Sequence, residues 1–524
     1  PFSDYDDLLL EQKYLDQAIR LVYKYGRLPI GSFVDIKPYL NKANKDGTLF
    51  GDEFVAIVYL LNNVKEIKEY LDDKELDDDE LFQFCQQLIL PKQLLDSINR
   101  CIDSSGNVLD SASPKLKQLR RQIISIETNI RSRIEQIKSA NKDYLSQENI
   151  SSRNNHLVLP VKAGNRNNVK GIVHAVSSSG QTMFIEPDVI VQMNNQLVNV
   201  KEEERREVQR ILKMLSVAVK ENYDCLYEDQ ELMVALDVIF AKANYGIKLD
   251  AIVPEVVTSY ETLSLKKARH PLIDQDKIVA NDIVLAPPKR TLLISGSNTG
   301  GKTVVLKTAG LLSLMSLCAM AVPCLQATVP LFDQICVDLG DEQSIEQSLS
   351  TFSSHMKRLV EITNQVTEKS LVLLDEVGSG TDPHEGQSIA EAILRYLKQI
   401  NPIVLASTHY SGLKEFAKNE DSILVAAVEF DQEKMRPTYR LIAGSVGNSY
   451  AIEISRRLGL KPEIVDMAFK IKEESLTDTE KLMEKLHDEL TAVQLQKDQL
   501  EELTKETEAN QKRYQRLIEN YEKQ

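Results

Sequence analysis

The chain has 524 residues, 42% of them hydrophobic, with 63 basic and 78 acidic side chains and a net charge of −15. That length points to several domains, and the acidic balance excludes a histone-like coat for nucleic acid while leaving room for a local basic patch. The longest apolar run, Leu311–Pro323, is too short and too rich in serine to cross a membrane.

From the N-terminus, residues 1–114 read as short amphipathic helices forming a helical core. Leu8, Leu9, Leu10, Leu15, Ile19, Leu21 and Val22 supply an apolar stripe, with breaks at Gly26, Pro29–Gly31 and Asp46-Gly47. Lys115 to about Leu145 is expected as one long helix, because Ile123, Ile124, Ile126, Ile130, Ile134 and Ile137 recur mostly at three- and four-residue steps. The period then shortens. Leu157–Val161, Val169–Val176 and Thr182–Ile185 read as short strands of a small antiparallel sheet, punctuated by Gly164-Asn165, Gly171 and Ser177–Gly180. From about Pro187 to Tyr245 a helical pattern returns and predicts a helix of over fifty residues. Residues 115–250 thus form an arm with a β tip at about 151–186. Residues 251–470 alternate β and α, with strands expected at Thr291–Ser295, Gln334–Asp338, Ser370–Leu374 and Pro402–Ser407, the pattern of a parallel sheet covered on both faces. Residues 471–524 contain no Gly or Pro. Leu482, Leu486, Val493, Leu500, Leu503, Tyr514, Leu517 and Tyr521 fit a coiled-coil seam that Thr507 and Asn510 interrupt, and a solvated charged helix is the alternative.

The chemistry concentrates in the β/α part. Gly296-Ser297-Asn298-Thr299-Gly300-Gly301-Lys302-Thr303 follows an apolar strand and opens a helix, which is the context a phosphate-binding loop requires. Its glycines let backbone N–H groups curl around phosphates, and the helix N-terminus adds positive potential. Lys302 reaches the β/γ oxygens of ATP, and the Thr303 hydroxyl ligates Mg²⁺. The apolar strand Leu371–Leu374 ends in Asp375-Glu376, with Asp375 placed for the Mg²⁺ shell and Glu376 for orienting or deprotonating the attacking water. His409 follows another apolar strand and is positioned to sense the γ-phosphate; taken alone, it would read as a buried structural histidine.

With these motifs in place, the chain resembles the MutS branch of ABC-type ATPases. The resemblance is carried by Ser-Asn-Thr-Gly-Gly-Lys-Thr, Ser350-Thr351-Phe352, Asp375–Pro383, Thr408-His409-Tyr410 and Ala268-Arg-His-Pro271. Gly340–Met356 and Ser179–Pro187 look like the second bacterial MutS family, the paralogue outside mismatch repair. The resemblance implies a multidomain fold: a mainly α core, a long helical lever and clamp arm with a small β tip, an α/β ABC-type ATPase domain at 251–470, and a C-terminal coiled-coil helix. It also implies an obligatory homodimer, in which Ser350 completes the partner subunit's site, Gly378–Asp382 lie across the interface, and Gly444–Tyr450 begin a dimer-locking helix-turn-helix. Mismatch-repair relatives sandwich adenine between an aromatic residue and a histidine; the corresponding positions here are Ile278 and Tyr439. Their mismatch-reading Phe-x-Glu is matched in letters by Phe184-Ile-Glu186, but in the β tip rather than in a mismatch-reading domain. Family members continue into a basic region and a small nuclease domain. No part of these residues corresponds to either, so nuclease chemistry is not assigned to them.

Residues 151–185 contain no Asp or Glu, but include Arg153, Lys162, Arg166 and Lys170 together with His156 and His174. Four cations at an arm tip suit phosphate contact, and the few aromatics disfavour single-strand stacking; a solvated basic loop is the alternative. By resemblance, the target is a collided ribosome, met through its rRNA and split into subunits. Branched DNA, clamped to suppress recombination, is the second reading, and a slow nucleotide-gated structural clamp the third. Six cysteines with no C-x-x-C pair fit reduced thiols in the cytoplasm. No signal peptide is visible. The start at Pro1 and the helical pattern at the end fit a piece of a longer protein.

Overall fold

The computed structural model describes residues 1–524 except 73–78, 148, 154–155, 297–300, 341–350, 432–435, 446–451, 453–454, 457–458, 476–488, 490–492, 494–495 and 497–524. The expected coiled-coil seam and the start of the helix-turn-helix therefore fall almost wholly outside the described residues. The chain divides into two compact units, one of residues 27–237 and one joining 1–26 to 238–524. The expected grouping of 1–114 differs from this at its start: the Tyr5–Tyr25 helix belongs with the β/α residues. Its buried stripe is Leu8, Gln12, Leu15 and Ala18, and Gln12 Nε2 donates to the Pro254 carbonyl at 2.9 Å. Leu9 and Leu10 lie on the exposed face, because consecutive residues on a helix turn away from one another.

In the 27–237 unit, the Pro114–Ala140 helix begins on a Ser113 cap that accepts the Leu116 N–H, with Pro114 in the first turn. It packs along the Asp188–Glu221 helix, and ion pairs Arg120–Glu204 and Lys201–Glu127 flank the seam. Ile126, Ile130 and Ile134 are buried in one cluster with Leu159, Val161, Ile185 and Ile190. Ile124, one of the expected apolar positions, is instead 64% exposed. The returning helix is not continuous. It breaks at Asn222, and Tyr223–Lys248 follows as a separate helix, since Asn222 leaves helical geometry and its side-chain amide bonds the Ala218 carbonyl.

Between the helices lies a four-stranded antiparallel sheet: β1 Ser151–Arg153, β2 His156–Lys162, β3 Gly171–Val176 and β4 Thr182–Pro187, in the order β1-β2-β4-β3. β3 carries a bulge between Val173 and Ala175 where it pairs with β4.

The other unit holds two sheets. A four-stranded sheet, absent from the sequence reading, is formed by β5 Glu255–Val257, β6 Leu263–Ala268, β7 Asn281–Leu285 and β9 Gln326–Pro330. The larger sheet has the order β10-β11-β12-β8-β13-β14, with β8 Thr291–Ser295, β10 Ile335–Asp338, β11 Leu371–Leu374, β12 Ile403–Thr408, β13 Ile423–Asp431 and β14 Arg436–Ala443. The four strands expected from sequence are β8, β10, β11 and β12, and they run parallel. β13 is parallel to β8, while β14 returns antiparallel. The sheet is therefore mixed. β11 and β12 are buried at every residue, as expected where both faces are covered. No helix among the described residues is long and apolar enough to cross a membrane.

Candidate nucleotide site

Parallel pairing puts the C-terminal ends of β8, β11 and β12 on one edge. Ser295 pairs with Thr408, and Leu374 with Ala406. Whatever follows these strands must meet there, as in other open parallel sheets. The segments that follow are the Gly-rich loop, Asp375-Glu376 and His409.

Gly296 and Gly301 have φ of 131° and 92°, backbone that a side chain would strain. Ser297, Asn298, Thr299 and Gly300 lie outside the described residues. Lys302 opens the Lys302–Leu317 helix, is 1% exposed, and donates from Nζ to the Gly296 carbonyl at 2.8 Å. Burial pushes its ammonium below the ordinary lysine range, against the pull of Glu376 and Asp375. Thr303 Oγ1 donates to Asp375 Oδ2 at 2.5 Å. A hydroxyl and a carboxylate converging at one point make an all-oxygen donor set suited to a hard divalent cation.

Asp375 is held from behind. Its N–H donates to the Asp338 carbonyl at 2.8 Å, and Ser407 donates a short hydrogen bond to Asp375 Oδ1. The same Ser407 oxygen accepts the Glu376 N–H at 2.9 Å. Ser407 thus couples both carboxylate residues to β12. In the sequence Ser407 is only the end of an apolar strand, and its one signal is a hydroxyl where that strand meets the phosphate-loop edge. Glu376 sits at φ 50°, in the left-handed region, an unusual state for a residue with a side chain and one that clusters at functional sites. Burial pushes the His409 imidazole below its usual range; Glu376 opposes this and Lys302 reinforces it. Lys302, Thr303, Asp375, Glu376 and His409 are therefore brought together. Behind them, the Asp338 carboxylate is bonded by His355 Nδ1 at 3.0 Å.

Tyr439 on β14 packs over the loop: a Cβ added to Gly301 would lie 3.0 Å from its ring. Asn281 ties β14 to β7, donating to the Tyr439 carbonyl at 2.9 Å and accepting the Leu441 N–H at 2.7 Å. Ile278 lies half-buried in the turn that leads to Asn281, its N–H donating to the Asp274 carbonyl. Ser350 lies outside the described residues. Past Glu376, Tyr410 donates to the Gly378 carbonyl at 2.7 Å, and Asp382 caps the Pro383–Ile400 helix.

At the tip of the other unit, Arg153, Lys162 and Lys170 are exposed. Arg153 stacks over the Phe184 ring at 4.4 Å. Lys162 Nζ donates to the Asp143 carbonyl at 3.0 Å. Arg166 is half-buried, and its guanidinium donates to the Val169 and Gly171 carbonyls, which makes it a brace for the start of β3.

The profile of the family described as MutS domain V matches residues 292–476. The chain is 44% identical to a protein named Endonuclease MutS2 from Caldanaerobacter subterraneus, over 89% of this chain and 59% of that one. It is 41% identical to one of the same name from Halalkalibacterium halodurans, over 93% and 63%, and 39% identical to one from Finegoldia magna, over 99% and 67%. The chain spans about three fifths of the length of the first two. On these matches, the chain belongs to the second bacterial MutS family.

Proposed function

We propose that this chain is the ATP-hydrolysing clamp of a homodimer that grips nucleic acid. The observation that supports ATP hydrolysis is the convergence of Lys302, Thr303, Asp375 and Glu376 on one sheet edge. Lys302 supplies a fixed cation for the β/γ phosphate oxygens. Thr303 and Asp375 would hold Mg²⁺, which when bound supplies positive charge at those oxygens. Glu376, its backbone pinned by Ser407, orients a water and takes its proton. His409, neutral at pH 7 because its burial disfavours charge, faces the same edge and can hydrogen-bond without adding a cation. Tyr439 and Ile278 flank the adenine. Ser350 of a second copy completes the site, so hydrolysis requires the dimer.

The preferred target is a collided ribosome, met by the acid-free tip through rRNA and split by nucleotide-driven movement; the support is the family resemblance together with the exposed tip cations. Branched DNA is the second reading, favoured by the name endonuclease that the relatives carry. The deciding experiment is capture of nucleic acid on Glu376→Gln protein with ATP, followed by sequencing of the bound RNA and DNA. Enrichment of rRNA is expected. DNA enrichment without rRNA would replace the ribosome with the junction, and capture of neither would sink the clamp.

A further inference from the structure

The hydrolytic edge leaves one group of polar side chains in the other unit without a role. Glu186 ends β4, the central strand between β2 and β3, and is 1% exposed. A carboxylate buried this far needs compensation. His156 on β2 approaches from one side, its Nδ1 3.0 Å from Oε2, and His174 on β3 from the other, its Nε2 2.6 Å from the same oxygen. The two imidazoles stack with centroids 4.5 Å apart. Asn194 Nδ2 donates to the other oxygen, Oε1, at 2.5 Å, and His156 Nδ1 lies 3.1 Å from that oxygen as well, so His156 straddles the carboxylate while His174 meets Oε2. His174 falls in the β3 bulge between Val173 and Ala175. Ile172, which pairs with Glu186, and His174 lie two residues apart on β3, so strand alternation puts both on the carboxylate's face.

We propose that His156, His174 and Glu186 form a zinc site. Among the described residues they are a group of three metal-ligating side chains whose donor atoms all lie within 4.8 Å of one another. Tetrahedral zinc with bonds of about 2.0–2.1 Å holds its ligands roughly 3.3 Å apart, so sub-ångström to ångström side-chain adjustments bring the three atoms to coordination distance. Two imidazoles and a carboxylate select zinc over calcium or magnesium, which prefer oxygen. The Asn194 amide is the outer contact that holds a ligating carboxylate in place. His156 is 41% exposed and His174 15%, so solvent reaches the His156 side and a water fills the fourth position. The ion would tie β2 and β3 to β4 at the tip and place a divalent charge beside Arg153 and Lys170. This inference does not depend on the nucleic-acid target.

The test uses the whole chain, stripped of metal and titrated with Zn²⁺ against a chromogenic chelator. One tight site per chain is expected. His174→Ala should lose it, and Asn194→Ala should weaken it by about 10–100-fold. X-ray absorption at the zinc edge of the wild-type protein should show imidazole nitrogen and oxygen ligands and no sulfur. This second measurement stands even if the variants fail to fold. Absence of a stoichiometric site, a site unchanged in His174→Ala, or sulfur ligation from the six cysteines would each overturn the proposal and leave the histidines as neutralising partners of a buried glutamate.

Discussion

Lys302 and Glu376 occupy one edge but carry separable tasks, and substitution should separate them. Lys302→Ala removes the fixed cation, and ATPase activity should fall by about 10²-fold or more in a steady-state assay. Glu376→Gln keeps the loop, Lys302 and Thr303, so it should bind ATP yet turn over no faster than the lysine variant. Equilibrium binding of a fluorescent ATP analogue distinguishes the two, and a glutamine variant that fails to bind would make Glu376 structural. A different residue sets a pH response. Asp229 is 1% exposed and accepts the Ile89 N–H at 2.8 Å. Burial pushes its carboxyl up to about 6, against the Ile89 hydrogen bond. The folded protein therefore binds a proton between about pH 4 and 6 that the unfolded chain does not, and stability falls as pH rises through that window. Asp229→Asn should abolish this slope. Its melting temperature should equal or exceed wild type by a few degrees at pH 7.5 and lose that advantage at pH 4.5; an unchanged slope would show that the carboxyl ionises normally.

The segment after Asp375 and Glu376 depends on a backbone approach that a side chain cannot share. At Gly378, just past Asp375 and Glu376, φ is 81° and an added Cβ would lie 2.2 Å from the Gly386 carbonyl oxygen. Gly378→Ala should cost about 1–3 kcal/mol and reduce ATPase activity with Asp375 and Glu376 intact. Gly164→Ala, where nothing lies within 4 Å, should leave the melting temperature within error. Equal effects in the two variants would remove the strain argument. The tip sheet invites another comparison. Lys162 and Lys170 are exposed, Lys162 with one bond to the Asp143 carbonyl, whereas Arg166 is half-buried and its guanidinium bonds two backbone carbonyls. Lys162→Ala and Lys170→Ala should each weaken nucleic-acid binding and lower the salt dependence by about one ion. Arg166→Ala should act chiefly by loosening β3, seen as a lower melting temperature. An unchanged salt slope in both lysine variants would move the contact off the tip.

On the proposed function, a homodimer is the molecule-scale consequence of a site that one chain would not complete. If Ser350 serves the partner's loop, Ser350→Ala and Lys302→Ala homodimers are each weak, but a mixed dimer contains one whole site. Its intact loop belongs to the Ser350→Ala subunit, and its serine comes from the Lys302→Ala subunit. Mixing should restore activity above either parent, up to about a quarter of wild type for random pairing of independent sites. A cysteine substituted for Ser350 should cross-link to the partner's loop only with ATP. Cross-links confined to one chain would refute the shared site.

Much of the candidate nucleotide edge is legible in the amino-acid order because its parts are local. A strand, a glycine-rich loop and a helix follow one another at Thr291–Leu317, and each carboxylate or histidine sits directly after an apolar strand. Parallel pairing is then enough to bring the strand ends together. The pairing partners of Ser407 and Tyr439, by contrast, come from positions far along the chain, and no period or spacing announces them. The Tyr5–Tyr25 helix likewise showed its apolar character but not which unit would bury it. In the sequence, His156 and His174 stand out only beside the tip cations and Glu186 only in Phe184-Ile-Glu186, with nothing to join the three. Strand order and register decided that they meet, because sheet register is settled by long-range packing, whereas local motifs are settled by their immediate neighbours.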